Sequence, residues 1–124
     1  MKERRIWLEA GIVPEGDRYI SAGQGMGAVL TMAEELQAYT LTDRGTYLSR
    51  LAEGYTLPIL VEGDPILFNP YHVIAVNPDV HPTVNYEAAK QFIEWLTSPE
   101  TQERIAAFTH PGTGQPLFYP DASE

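Results

Sequence analysis

The chain contains no cysteine. Disulfides, thiolate nucleophiles and zinc–thiolate centres are excluded together. Basic residues are scarce. Eight Lys and Arg stand against 17 Asp and Glu, a formal net charge of −9, and only Lys90 and Arg104 follow Arg50. Such a chain repels nucleic acid and anionic membrane surfaces, so neither is an expected partner. Any anion it takes up must be held by local donors against the global field. No apolar run is long enough to span a bilayer, so membrane insertion is not expected. The start, Met1-Lys2-Glu3-Arg4-Arg5-Ile6-Trp7, carries charges with no apolar stretch behind them, so no signal peptide is read here. Internal repeats and low-complexity segments are also missing.

What remains is an ordinary globular composition. The 124 residues are 44% hydrophobic, enough for one domain with a core and too apolar for a disordered tail. The informative stretch is Gly23-Gln24-Gly25-Met26-Gly27. Three glycines in five residues free the backbone for positive φ and for close approach to a ligand. Ala28 to Gln37 follow as a helix, with an apolar stripe at Val29, Met32, Ala33 and Leu36. The loop therefore opens onto a helix N-terminus, whose N–H groups and dipole favour an anion. The spacing is neither the dinucleotide fingerprint nor the phosphate loop, so the same loop also reads as a plain turn.

Ala38 to Thr42 is a short β-prone segment, and Asp43 is positioned to cap a helix running through Tyr47, Leu48 and Leu51 to Gly54. Arg44 has two readings: a bidentate partner for an oxyanion, or an ion pair with Asp43 or Glu34. Residues 2–10 read as a helix stopped by Gly11, with Ile6 and Leu8 or Trp7 inward. Strands are expected at 18–22, 56–61 and 71–76, the last two apolar enough to be buried on both faces. Asn85 caps a helix with Ala88, Ala89, Phe92, Trp95 and Leu96 at core spacing. Ser98-Pro99 starts the next helix, which ends before Pro111-Gly112-Thr113-Gly114. Leu117, Phe118 and Tyr119 form an apolar tail that should pack back on the body. Alternating helices and apolar strands predict an α/β fold, a mixed sheet with helices on both faces. Two of its few strands look central, so part of the sheet is expected to come from elsewhere.

No catalytic constellation is legible. His72, His81 and His110 lack metal-ligand spacing. Glu62 and Asp64 flank a Gly-Asp-Pro turn and read as solvated carboxylates. Ser21 lacks a nucleophile-elbow context. An enzyme is not expected, and no cofactor or metal is called for.

With these residues in view, the chain resembles the extracytoplasmic tungstate-binding proteins of ABC importers, of the type II periplasmic binding-protein fold. The resemblance rests on Gly23-Gln24-Gly25-Met26-Gly27, on Ala38-Tyr39-Thr40-Leu41-Thr42-Asp43-Arg44-Gly45-Thr46-Tyr47-Leu48, and on Leu60-Val61-Glu62-Gly63-Asp64. It extends to Asn69-Pro70-Tyr71-x-Val73-Ile74-Ala75-Val76-Asn77-Pro78 and Phe92-Ile93-x-Trp95-Leu96-Thr97-Ser98-Pro99-Glu100. It covers the family's carboxyl-terminal half. The Thr-Thr-Thr-Ser and Ser-Arg-Gly-Asp-x-Ser-Gly-Thr segments, which supply much of the family's oxyanion shell, are absent.

By that resemblance, residues 1–64 are the remainder of the second lobe with the Gly-rich oxyanion loop. Residues 65–124 are the return strand and closing helices of the first lobe. The fold would be incomplete without the amino-terminal half. The implied ligand is tungstate or molybdate, held without chemistry as an oxyanion. Gln24, Gly25, Met26 and Gly27 are the implied backbone donors, Thr42 and Arg44 the further contacts, and Asp43 and Thr46 supporting residues. An ionised Asp43 cannot coordinate a dianion; its implied role is to cap the helix or orient Arg44. The implied partners are an ABC permease and either the missing amino-terminal half or a second copy of the chain. The implied location is periplasmic or extracytoplasmic. The alternative is an interaction or regulatory domain that keeps this scaffold without its ligand.

Overall fold

The computed structural model describes residues 2–122, which divide into two compact units, Met1–Phe68 and Asn69–Glu124. The first unit carries helices α1 (Lys2–Glu9), α2 (Met26–Leu36) and α3 (Arg44–Ala52), then a 3₁₀ turn, Pro65–Leu67. The second carries α4 (Tyr86–Thr97) and α5 (Pro99–Ala107).

Local chemistry accounts for the helix boundaries. Gly11, at φ 66°, turns the chain after α1. The side chains of Asp43, Asn85 and Ser98 accept the backbone N–H of Thr46, Ala88 and Thr101, filling donors that a helix start cannot satisfy itself. Ser98 closes α4 as it opens α5. Its hydroxyl donates to the Trp95 carbonyl at 2.8 Å, and Pro99 follows at the first helical position, where its missing N–H costs nothing. α2 starts at Met26, two residues before the sequence expectation. It ends at Gln37, whose left-handed conformation (φ 52°) lets Ala38 N–H reach the Ala33 carbonyl at 2.8 Å.

The core of the first unit is the α2–α3 pair. Leu30 and Ala33 on α2, Leu48 on α3 and Tyr55 just beyond it are its buried apolar residues. Tyr55 meets Tyr47 edge to face at 5.9 Å, and the Tyr47 hydroxyl donates to the Leu57 carbonyl. Two polar clamps reinforce the pair. Glu34 on α2 accepts both the amide and the hydroxyl of Thr56, each at 2.7 Å. Arg50 on α3 donates to the Gly27 carbonyl and to Thr31 Oγ1, each at 3.1 Å. α1 is tied to the 3₁₀ turn by the Lys2 ammonium, which donates to the carbonyls of Ile66 and Phe68. In the second unit the tail folds back as expected. Thr109 bridges Pro116, Phe118 stacks edge to face on Tyr71, and Gln102 Oε1 accepts the amides of Asp121 and Ala122.

Several expectations need correcting. No strand occurs among the described residues, so the mixed sheet is not formed; segments 18–22, 38–42, 56–61 and 71–76 have no ladder. The two apolar stretches expected to be buried on both faces are exposed, with Leu60 at 66%, Val61 at 70% and Ile74 at 82%. The apolar stripe of α4 is equally uncovered: Phe92 and Trp95 are about half exposed. The causes are the same. An extended segment becomes a strand only when a neighbour accepts its N–H and C=O groups, and an amphipathic face buries only against something. Inward packing at the amino terminus is also partial: Ile6 and Trp7 are half-buried, whereas Leu8 is exposed.

The Glu34 clamp makes stability pH-dependent. The Thr56 hydroxyl, then the Thr56 amide, hold the Glu34 carboxyl below its ordinary range, with a smaller push from Arg50 and some opposition from desolvation. The unfolded carboxyl titrates near about 4.3. A folded value below this means stability that is present above that pH and lost as pH falls through the folded value. Glu34→Gln should keep an acceptor for Thr56 but flatten this part of the acid dependence. Urea unfolding between about pH 3 and pH 6 measures it. An unchanged slope would mean that the clamp does not persist in solution.

Candidate functional site

The amide groups at the start of α2 are the centre of the candidate site. Gly25, in extended conformation, occupies the cap position and has no side chain to offer. Its carbonyl accepts Val29 N–H at 3.1 Å, the first bond of the helix. The amides of Met26, Gly27 and Ala28 therefore precede any intrahelical acceptor and point out of the helix start. Gly23, at φ 60°, needs its glycine to turn the chain into this position. Gln24 and Gly25 are exposed and lie outside the helix; Gly27 is half-buried.

The start of α3 lies beside it. Asp43 N–H donates to the Met26 thioether sulfur at 3.0 Å, bringing together two segments 17 residues apart. Asp43 is a full cap: Oδ1 accepts the Thr46 amide at 2.8 Å, and Oδ2 accepts the Thr46 hydroxyl at 2.7 Å. Both carboxylate oxygens thus face Thr46. The Thr42 hydroxyl donates to the Asp43 carbonyl at 3.2 Å. Arg44 has an acidic partner that was not considered from sequence. Its guanidinium lies 3.7 Å from the Glu62 carboxylate, and its side chain is 28% exposed. Glu34, one of the partners considered, accepts from the Thr56 amide and hydroxyl.

Met26, Thr42, Asp43, Arg44 and Thr46 thus gather around two adjacent helix starts, with Gly25 and Gly27 on the first. What this arrangement can do is hold an acceptor-only ligand with backbone N–H groups. Two participants escaped the sequence. Ala28 contributes the third amide, which follows only once the helix is known to start at Met26. Arg50, behind the loop, has no local sequence signal at all. The other polar residues weighed from sequence have structural tasks. Asp64 caps the 3₁₀ turn by accepting Ile66 N–H, and His110 Nδ1 accepts Gly112 N–H. Among the described residues, no group of three or more His, Asp or Glu could hold a metal ion, and no helix is long and apolar enough to cross a membrane.

The Asp43 cap is testable. Asp43→Ala should cost about 0.5–2 kcal/mol of unfolding free energy, and Asp43→Asn much less, because Asn caps almost as well. Denaturant unfolding of the two variants measures the difference.

Comparison with known proteins supplies the context for this geometry. A family model described as a PBP superfamily domain matches residues 1–100. A tungstate-binding protein TupA from Peptoclostridium acidaminophilum is 53% identical over 123 residues, 99% of this chain and 43% of its own length. Among solved structures, the tungstate-binding protein TupA from Desulfovibrio alaskensis G20 superposes with a TM-score of 0.80 at 39% identity, covering 98% of this chain and 50% of that one. The tungstate ABC transporter structure from Geobacter sulfurreducens gives a TM-score of 0.74 at 48% identity, over 86% of this chain and 45% of that one. The chain thus spans about half the length of the relatives it matches. It belongs to the periplasmic-binding-protein (PBP) superfamily.

Proposed function

We propose that this chain is the carboxyl-terminal portion of the solute receptor of a tungstate-importing ABC transporter, holding the oxyanion outside the cytoplasm without chemistry. The observation that carries the reading is 53% identity to a tungstate-binding protein across 99% of the chain. The juxtaposed starts of α2 and α3 support a site in it. Gln24, Gly25, Met26 and Gly27 present the loop, Thr42 and Arg44 add contacts, and Asp43 and Thr46 fix the second helix start. Ala28 joins them as a third helix-start amide. Tungstate and molybdate are acceptor-only tetrahedral dianions, suited to neutral N–H and hydroxyl donors. Molybdate has nearly the same size and is the natural competitor.

In this reading residues 1–64 complete the second lobe and residues 65–124 return to the first. The remaining length of such a receptor supplies the sheet partners of 56–61 and 71–76 and covers the apolar faces of α4. It also supplies the rest of the oxyanion shell, and closure of the two lobes desolvates the ligand and presents a surface to the permease.

Calorimetry with tungstate, molybdate and sulfate tests this. Each charge-assisted hydrogen bond contributes roughly 1.5–3 kcal/mol, so three or four supplied by the other half amount to about 5–10 kcal/mol. Every 1.4 kcal/mol is about tenfold in affinity. The 124-residue chain alone should therefore bind tungstate only in about the millimolar range, and adding the amino-terminal half as a separate chain should restore tight binding. Tight binding by the chain alone would contradict this division of the site. No tungstate binding even with both halves present would contradict the function.

A further inference from the structure

We propose that Arg50 is the positioning residue of the oxyanion loop. From the last turn of α3, its guanidinium holds the Gly27 carbonyl and so sets the aim and donor strength of the Gly27–Ala28 peptide. The inference rests on reading the start of α2 as an oxyanion site.

The geometry is specific. Nη2 of Arg50 donates to the Gly27 carbonyl and to Thr31 Oγ1, each at 3.1 Å, and the Thr31 hydroxyl itself donates to the Gly27 carbonyl at 3.3 Å. Nη1 is engaged separately, by Glu53 Oε2 at 3.0 Å. In a helix the carbonyls point toward the carboxyl end and the amides toward the amino end. Arg50 therefore stands behind the Gly27–Ala28 peptide, and the Ala28 amide faces forward out of the helix start. A cation on the carbonyl, the peptide dipole and an anion on the amide would lie in the favourable electrostatic order. Hydrogen bonds linked through one group polarise each other, so the guanidinium makes Ala28 N–H a stronger donor.

Arg50 also fixes where that amide points. It ties the first turn of α2 to the last turn of α3, while Asp43 N–H on Met26 sulfur ties the two helix starts. The loop is thus held from both ends of α3. The side chain itself does not contact the ligand in this arrangement. An arginine suits the task better than a lysine, because its planar fork serves the Gly27–Thr31 pair with one nitrogen and Glu53 with another. The Glu53 pair is a surface one, with side chains 37% and 66% exposed, and should contribute little.

The test is ¹H–¹⁵N NMR on the 124-residue chain and on Arg50→Gln, Arg50→Lys and Glu53→Gln. Spectra are recorded first without ligand, then during titration with sodium tungstate, with sodium chloride holding ionic strength constant. Without ligand, Arg50→Gln should move the Ala28 amide proton upfield, with Arg50→Lys intermediate and Glu53→Gln at the wild-type position. In the titration, Arg50→Gln should raise the tungstate dissociation constant about tenfold, equivalent to about 1.4 kcal/mol, with Glu53→Gln unchanged. If Arg50→Gln does not fold, Arg50→Lys carries the same comparison. An Ala28 amide that stays at the wild-type position in the Arg50 variants overturns the proposal, as does an equal loss of affinity in Glu53→Gln. A wild-type chain whose Met26, Gly27 and Ala28 amides ignore tungstate overturns the oxyanion reading instead. The ligand-free spectra then still decide the role of Arg50.

Discussion

The packing of α2 on α3 is the interaction on which the first unit depends. Leu30 and Leu48 are each only 1% exposed, and they are the largest fully buried side chains described. Everything assigned to the candidate site lies at one edge of that contact. The two helix starts can share an anion only if the helices keep their register. Apolar packing alone specifies register loosely, because it is non-directional. The directional terms are the Glu34–Thr56 and Arg50–Gly27 hydrogen bonds, one near each end of α2. A small core with polar clamps at both ends is a workable way to hold a loop still when little surface is buried.

The second unit follows a different pattern. α4 and α5 are joined by the single residue Ser98, and the tail returns through Gln102 and Tyr71. Yet Trp95, Phe108 and Phe118 keep much of their surface in water. Half-exposed aromatics of this size leave about 1–3 kcal/mol of burial unrealised each, at about 25 cal/mol per Å². Together with the bare segment Leu60–Val61 in the first unit, they describe surfaces shaped for cover. The relatives, about twice as long, have the additional chain to provide it.

What could be read from sequence follows from how local each cause is. The caps at Asp43, Asn85 and Ser98 and the stop at Gly11 are set by one or two residues, and all were legible. The strands were not, because a strand is a relation between segments, and apolar content at 56–61 and 71–76 gives the propensity without the partner. For the same reason the core spacing of Phe92 and Trp95 was legible as an apolar face but not as burial. In the site, the Gly-rich loop and the Asp43 cap were visible separately. Their meeting through Met26 sulfur was not, since nothing in the 17-residue separation between Met26 and Asp43 fixes the distance between them. Arg44 shows the limit most plainly: its charge was visible, but its pairing with Glu62 depends on where a loop 18 residues away returns.

The central claim is that tungstate sits on the amides at the start of α2. A crystal structure of this chain combined with the amino-terminal half of the receptor, grown with tungstate, locates the metal by tungsten anomalous scattering. The account expects ligand oxygens about 2.7–3.2 Å from the nitrogens of Met26, Gly27 and Ala28, the normal hydrogen-bond range. It also expects the start of α3 to line the same cavity. Tungsten bound elsewhere, with those amides facing only water, would contradict it.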